Sequence, residues 1–235
     1  NFYYPESAGK GVDIYVIDNG IKTDYDEFDT YPGTDHEQKQ KSLCHINHET
    51  YTHGVLVASV AGGKYTGVAK YSNLYMLATG FFEEDHITAF DHILKKIRKN
   101  PNHKTIINIS RSHGRTSGYA FQDKIYDMID ENCIIFVAAG NHKEYCCNDD
   151  YFLSGQKGLI VVGATENHVD RNMETVYRRA EYSNYGYCLD IYAPGQGVYP
   201  DENGTIIMNG NRYSTQAGTS SASPLTAGVA ATIMS

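Results

Sequence analysis

Apolar residues along this chain form two kinds of segment that alternate over most of its length. Short runs with few polar interruptions predict strands at residues 12–17, 74–77, 105–109, 134–138, 159–163 and 189–192. Longer segments predict helices at residues 53–61, 85–99 and 119–132, and a last helix that begins near Ser220. In the second helix, apolar side chains recur every three or four residues, which is the spacing of one buried face.

Strands that alternate with helices of this length predict a three-layer α/β fold, in which a central, mostly parallel sheet carries helices on both faces. The chain shows no internal repeat, low-complexity tract or linker, so we expect one domain over residues 1–235. Sheets of this kind bind ligands beyond the carboxyl ends of their strands. Asp18, Ser110 and Asn141 each follow a predicted strand, so we expect them at one edge of the sheet.

Charge and hydrophobicity exclude two classes of function. The formal net charge is −8 at pH 7, which argues against a general nucleic-acid binder. The basic run at residues 95–99 ends a predicted helix, where cations complement the helix dipole. No apolar stretch reaches the roughly 20 residues that a membrane-spanning helix needs. Residues 1–10 lack the basic start and apolar middle of a secretion signal, so a secreted or vacuolar protein would have to be a processed chain.

Five cysteines leave at least one thiol unpaired within a monomer. Cys133 precedes an apolar run and is predicted to be buried. Cys146 and Cys147 lie in a polar segment, and one of them could pair with Cys188 or Cys44. Sequence alone leaves this connectivity open. The cysteine content modestly favours an oxidising compartment.

Four residues along the chain suit nucleophilic attack on an amide or ester carbonyl. Asp18 can accept a hydrogen bond from a histidine ring, His53 can act as the general base, and Ser220 can act as the nucleophile. The Asn141 side-chain amide and the Ser220 backbone N–H can donate to the resulting oxyanion. The combination carries this hypothesis, because each residue is predicted to lie at a strand end or a helix start.

Each of these residues alone also fits a purely structural role. Asp18 begins an Asp-Asn-Gly turn, His53 is one of ten histidines, Ser220 suits a helix N-cap, and Asn141 follows a glycine as in a simple turn. A zinc cluster around Cys44, His45, His48 and His53 is a weaker alternative. His48 and His53 are five residues apart, whereas one helical face needs four. The Gly-x-Ser-x-Gly motif of α/β-hydrolases is absent around these residues.

Taken together, these motifs resemble subtilisin-like serine proteases, and the proteinase K branch in particular. The resemblance lies in YPESAGKG at residues 4–11, YVIDNG at 15–20, GVAK at 67–70, AAGN at 138–141, YSNYG at 182–186 and GTSSASP at 218–224. These segments spread over nearly the whole chain. The order Asp, His, Ser is also the order of the subtilisin triad.

The resemblance implies an endopeptidase of broad specificity, with Asp18, His53 and Ser220 as triad and Asn141 as oxyanion residue. It also implies that Ser110, Arg111 and Ser112 pair with the substrate backbone as an added strand. Ala138, Ala139 and Gly140 would line the pocket for the side chain before the cleaved bond, which leaves room for an apolar or aromatic group.

The resemblance further implies partners and a cellular location. Enzymes of this kind act on proteins and peptides, need no cofactor for catalysis, and are made with a propeptide that is cleaved off. We therefore expect a secreted or vacuolar monomer that binds neither nucleic acid nor membrane. The branch also holds a structural calcium ion through two carbonyls and one aspartate. The matching positions are Lys157, Leu159 and Asp190, and calcium prefers such oxygen ligands.

Several positions depart from the family pattern. The substrate strand usually reads Ser-aliphatic-Gly-Gly, whereas this chain has Arg111 after Ser110. Arg111 and the acidic run at residues 83–85 either face solvent or give the substrate site an unusual subsite preference. Other departures, in place of the residues usual in the family, are Asn19, Val55, Leu56, Ser59, Ser221 and Leu225. Asp13 and Ile160 stand where the branch has disulfide cysteines.

Relatives of that branch continue through another helix and strand beyond the position of Ser235. The expectation is therefore either a C-terminally truncated chain or a different C-terminal packing. The departures beside the predicted site residues and the early end of this sequence leave an alternative function open. In that alternative, the chain is a catalytically degenerate or truncated subtilisin-like domain that binds partners or serves as a scaffold.

Overall fold

The computed structural model describes residues 4–28, 52–80, 82–111, 120–148, 151, 153–169, 172, 175–207 and 213–235. Within these ranges the chain forms nine strands, four α-helices and a short 3₁₀ helix at Asp26–Phe28. The strands are β1 (Asp13–Asp18), β2 (Asn73–Ala78), β3 (Thr105–Ile109), β4 (Ile134–Ala138), β5 (Ile160–Val169), β6 (Thr175–Arg179), β7 (Ile191–Pro194), β8 (Gln196–Tyr199) and β9 (Ser214–Ala217). The helices are α1 (Thr52–Gly62), α2 (Glu83–Ile97), α3 (Ala120–Asp130) and α4 (Thr219–Met234).

The main sheet has the order β2-β1-β3-β4-β5-β6, and β7 also pairs with β5. Every pairing in it is parallel except that of β5 with β6. β8 and β9 form a separate antiparallel pair. β1 lies between β2 and β3, so its last residue, Asp18, lies at the carboxyl edge between two neighbouring strands.

Two hydrophobic cores cover the two faces of the sheet. Ile14 and Val16 of β1 belong to the core shared with α1 and α4, whereas Tyr15 and Ile17 belong to the core shared with α2 and α3. This division follows from the alternation of side chains along a strand. Because β1 is covered on both faces, its run of apolar residues is continuous. The structure confirms the predicted three-layer α/β fold.

α1 and α4 pack closely on the same side of the sheet. A Cβ added to Gly228 of α4 would lie 2.6 Å from the carbonyl oxygen of Ala61 in α1, so only glycine permits this approach. His53 lies at the start of α1 and Ser220 at the start of α4. The packing of these two helices therefore determines how the two side chains are placed relative to each other.

The predicted elements agree with the structure to within about two residues at most boundaries. The exception is β5, which runs on to Val169, well past residue 163. β6, β8 and β9 were not predicted. β9 has three exposed residues out of four, so it lacks the apolar run on which strand prediction depends.

The structure also corrects the interpretation of Ser220 as a helix N-cap. Gly218 is the N-cap of α4, and Ser220 is the second residue of the helix. Gly218 has an extended backbone conformation, with φ of 164°, and provides no capping side chain. The Ser220 hydroxyl is therefore not used to cap the helix.

Glu27 is a buried carboxylate that fixes the turn after α1. Its side chain accepts hydrogen bonds from the backbone N–H groups of Tyr65 and Thr66, both at 3.1 Å, and from the Thr66 hydroxyl at 2.6 Å. Burial raises the pKa of Glu27, and these hydrogen bonds together with the charge of Lys70 offset that rise only in part. The carboxylate thus connects the 3₁₀ helix to the end of α1.

We expect Glu27→Gln to lower the free energy of unfolding at neutral pH by about 1–3 kcal/mol, because the amide turns a donor toward one of the backbone N–H groups. Since the pKa of Glu27 is raised in the folded state, its stabilising contribution is greatest at low pH and declines as the pH rises through the folded pKa. The difference in unfolding free energy between wild type and variant should therefore narrow as the pH rises through the folded-state pKa of Glu27. Urea unfolding at several pH values measures it, and a pH-independent difference would contradict this account.

Candidate active site

Asp18 and His53 form a hydrogen-bonded pair at the carboxyl edge of the sheet. His53 Nδ1 lies 2.9 Å from Asp18 Oδ1 and 3.0 Å from Oδ2. The Asp18 side chain has no exposed surface, whereas the His53 side chain is 29% exposed. A carboxylate in this position makes Nδ1 the protonated ring nitrogen, which leaves Nε2 free to accept a proton.

Asn19 holds the start of α1 beside β1. Its backbone N–H donates to Asp18 Oδ1 at 2.7 Å, and its side-chain Oδ1 accepts from the Gly54 N–H at 2.9 Å. A Cβ on Gly54 would lie 1.9 Å from the Gly20 carbonyl oxygen, so glycine is needed for this contact. From the sequence, Asn19 stands out only as a departure from the family pattern. In the structure it positions His53 against Asp18.

Opposing effects act on the pKa of His53. Burial lowers this pKa, but the hydrogen bond to Asp18 and the negative charge of Asp18 together raise it above its ordinary value. The positive charge of Arg111 lowers it again in part. An imidazolium at this position is therefore stabilised by Asp18, as a general base requires once it has accepted a proton.

Ser220 is bonded reciprocally to Ser110, the residue that follows β3. The Ser220 hydroxyl donates to the Ser110 carbonyl oxygen and the Ser110 hydroxyl donates to the Ser220 carbonyl oxygen, both at 3.2 Å. The described side chains include no hydrogen bond between His53 and Ser220. Catalytic hydrogen bonds are often long or misaligned without substrate, so this geometry is compatible with a nucleophile at rest.

A row of buried polar side chains connects α4 to β3 beneath this pair. Ser223 donates to Asn108 Oδ1 at 2.7 Å, and Asn108 Nδ2 donates to the Ser110 hydroxyl at 2.9 Å. Asn108, Ser110 and Ser223 are all buried. Because buried polar groups are costly when unpaired, this row fixes the position of α4, and with it Ser220, along the sheet.

Thr219 orients the Asn141 side chain. Asn141 Oδ1 accepts from the Thr219 backbone N–H at 2.8 Å and from its hydroxyl at 2.9 Å. The oxygen is thus occupied, and the Nδ2 donor points elsewhere. Nδ2 and the Ser220 backbone nitrogen lie 3.2 Å and 3.7 Å from the position of a Cβ on Gly218. Two hydrogen-bond donors therefore lie close together beside Gly218. No sequence signal indicated that Thr219 orients one of them, the Asn141 side chain.

The segment that carries Asn141 is held by Asn184 and by a disulfide. Asn184 Oδ1 accepts from the His142 and Glu144 N–H groups at 2.9 and 3.1 Å, and its Nδ2 donates to the Ala139 carbonyl oxygen at 2.9 Å. Cys147 and Cys188 are bonded, which is one of the pairings that the sequence left open. Cys133 and Cys146 are buried free thiols, and Cys44 lies outside the described residues.

The residues predicted to bind substrate line the same edge of the sheet. Ala138, Ala139 and Gly140 are buried at the end of β4, and the Gly140 N–H donates to the Thr219 hydroxyl at 3.1 Å. Ser110 and Arg111 follow β3, whereas Ser112 lies outside the described residues. His45 and His48, the partners in the zinc alternative, also lie outside them.

The residues predicted to hold calcium lie at and beside the start of β5. Asp190 is tied to this strand, because its Oδ2 accepts from the Val161 N–H at 2.8 Å and its N–H donates to the Val161 carbonyl at 3.0 Å. Lys157 and Leu159 precede the strand. One carboxylate and two carbonyls are a donor set that suits calcium, so the residues fit the ion and calcium binding stays a prediction.

Within the described residues, one group of potential metal ligands brings three side chains close together. The sulfurs of Cys146, Cys147 and Cys188 lie within 4.8 Å of one another, but two of them form the disulfide and are not available as thiolates. Among all the residues that the structure describes, no helix is long and apolar enough to span a bilayer.

One edge of the sheet thus carries a hydrogen-bonded Asp18–His53 pair, Ser220 near a helix N-terminus and two hydrogen-bond donors beside Gly218. The subtilase family model matches residues 9–235, and the chain belongs to this family. Subtilisin-like protease 2 of Arthroderma otae and alkaline protease 1 of Aspergillus clavatus are each 32% identical over alignments of 243 positions. Both alignments cover 100% of this chain, but only 52% and 54% of those proteins, so the chain spans about half their length.

Solved structures show the same fold. A cold-adapted subtilisin-like serine proteinase superposes with a TM-score of 0.75 at 25% identity, covering 100% of this chain and 78% of that one. A psychrophilic protease superposes with a TM-score of 0.73 at 24% identity, covering 96% and 77% of the two chains. The second likeness concerns the fold alone.

We expect loss of the Cys147–Cys188 bond to lower the free energy of unfolding by about 2–4 kcal/mol, because the bond closes a loop across a separation of 41 residues. Denaturant unfolding of Cys147→Ala/Cys188→Ala measures this loss, and mild reduction of the wild type should reproduce it. Cys146→Ala keeps the bond and serves as the control for losing a cysteine here. Equal stability of the double variant and the wild type would contradict the prediction.

Proposed function

We propose that this chain is a serine endopeptidase that hydrolyses peptide bonds through an acyl-enzyme on Ser220. The bidentate contact of His53 Nδ1 with the buried Asp18 carboxylate carries this proposal. Such a contact fixes the ring tautomer and stabilises the imidazolium that proton transfer creates. Membership of the subtilase family and the relatives named as proteases support the same assignment.

The proposed reaction uses the groups at this site in two half-reactions. Ser220 Oγ attacks the carbonyl carbon while His53 Nε2 takes its proton, and the oxyanion accepts hydrogen bonds from Asn141 Nδ2 and the Ser220 N–H. His53 then gives the proton to the leaving amine, and the peptide C–N bond breaks. Water attacks the acyl-enzyme with His53 again as base, and Ser220 regains its proton as the acid product leaves.

The substrate proposals follow from the same edge of the sheet. The backbone after β3, at Ser110 and Arg111, would pair with an extended peptide, which is a common mode of peptide recognition. The small residues at positions 138–140 leave space for an apolar or aromatic side chain before the cleaved bond. We further propose one peptidase domain, a cleaved propeptide, a secretory or vacuolar location and a monomer. Calcium, if bound at Asp190, would stabilise the fold and take no part in catalysis.

We expect a fluorophosphonate to form a single adduct on Ser220, because His53 and Asp18 activate this hydroxyl above the other serines of the chain. Intact mass followed by peptide mapping locates the adduct. Ser220→Ala should abolish labelling, whereas Ser235→Ala, at the exposed end of α4, should leave the adduct in place. Absence of an adduct in folded wild-type protein would favour the binding or scaffold alternative.

Asn141→Ala should lower kcat by about 10²–10³, a magnitude known from an oxyanion asparagine in subtilisin, with a small effect on KM. Thr219→Val removes one hydrogen bond from Asn141 Oδ1 and also the acceptor of the Gly140 N–H. It should lower kcat by at least about tenfold, the equivalent of one hydrogen bond. Thr219→Ser keeps the hydroxyl and serves as the matched control. Kinetics on a peptide substrate test both, and equal kcat values for the valine and serine variants would contradict the role of Thr219.

A further inference from the structure

Arg111 is a mostly buried arginine beside the fully buried Asp18 carboxylate. Its side chain is 10% exposed, and Nη2 lies 3.9 Å from Asp18 Oδ1. Nη1 donates to the Gly80 carbonyl oxygen at 2.9 Å, which anchors the guanidinium beyond the end of β2. The sequence resemblance led us to expect an aliphatic residue at this position.

Packing alone gives no reason for an arginine here. Replacing a buried ion pair by apolar groups is often neutral or stabilising, because desolvation of the charges is costly. The arginine is nevertheless placed next to the oxygen that accepts from both Asn19 and His53. Its charge is also permanent, since a guanidinium does not deprotonate in proteins.

We propose that Arg111 is a positioning residue, whose guanidinium holds the Asp18 carboxylate in place and whose charge keeps His53 unprotonated to lower pH. This inference rests on the proposed function. Asp18 alone favours the imidazolium form of His53, which cannot act as a base. The positive charge of Arg111, which lies beside the same carboxylate, opposes that effect. The Asp18–His53 hydrogen bond is thus kept while the neutral form of the His53 ring is favoured.

Charged and titratable groups from three chain segments lie around the Arg111 guanidinium. β1 provides Asp18, the segment after β3 provides Arg111, and α2 provides Asp85 and His86. The negative charges of Asp18 and Asp85 both act on Arg111. Burial lowers the pKa of His86 despite its contact with the Phe82 carbonyl oxygen at 2.9 Å, so His86 adds no charge at neutral pH. Among the described side chains, Asp18 and Arg111 are the charges that act on His53.

The test compares the pH dependence of fluorophosphonate labelling in four variants. Arg111→Met and Arg111→Leu remove the charge but keep an apolar stem, and the leucine variant restores the aliphatic type usual in the family. Arg111→Lys keeps the charge. Arg98→Met is the control, because Arg98 carries the same charge on an exposed side chain paired with Glu131 at the end of α2. Thermal unfolding verifies that each variant is folded.

The acidic limb of the labelling rate should move to higher pH in the methionine and leucine variants. It should stay near the wild-type position in the lysine variant and in Arg98→Met. Superimposable limbs for wild type and both neutral variants would overturn the proposal. An equal displacement in the lysine variant would also overturn it, because the effect would then not depend on charge.

A second measurement separates this inference from the proposed function. Nuclear magnetic resonance of ¹⁵N-histidine-labelled Ser220→Ala follows the titration of His53 without any activity, and a His53→Gln sample identifies the signal. Adding Arg111→Met should raise the pKa of His53. If wild-type protein is not labelled but this pKa rises, the proposed activity is wrong and the electrostatic role of Arg111 stands. An unchanged pKa refutes that role whether or not Ser220 reacts.

Discussion

The site depends on one buried charge, the carboxylate of Asp18. This side chain has no exposed surface, and an isolated carboxylate in such a place would be strongly disfavoured. It is compensated by the Asn19 N–H, the His53 ring and the nearby Arg111 guanidinium. These partners come from the end of β1, the start of α1 and the segment after β3. The need to compensate one charge thus fixes three chain segments relative to one another.

Close helix packing provides the second half of the site. α1 and α4 approach each other at Gly228, and the buried row of Asn108, Ser110 and Ser223 sets the position of α4 along the sheet. Compensation of the Asp18 charge places His53, and the packing of α4 places Ser220. The oxyanion donors depend on the same helix start, because Thr219 orients Asn141. A change in α4 packing would therefore disturb the serine and its oxyanion donors together.

The sequence was sufficient to predict the layers of the fold and the edge of the sheet where the site lies. Buried parallel strands leave continuous apolar runs, and Asp18, Ser110 and Asn141 stand where such runs end. The sequence could not show that Asn19 binds Gly54 or that Thr219 binds Asn141, because these contacts join residues far apart in the chain. Arg111 was expected to face solvent or substrate, and only the structure shows its approach to Asp18. β6 and β9 are largely exposed, so hydrophobic periodicity gave no signal for them.

The reciprocal bonds between Ser110 and Ser220 join residues separated by 110 positions, and α4 follows every described strand of the sheet. Chains emerge from the ribosome N-terminus first, and both Asp18 and His53 precede Ser220 in the sequence. Asp18 and His53 can therefore meet before the serine segment has been synthesised. A nascent or C-terminally shortened chain that lacks α4 has no Ser220 at the site, so the order of synthesis itself withholds the proposed nucleophile until the rest of the sheet exists.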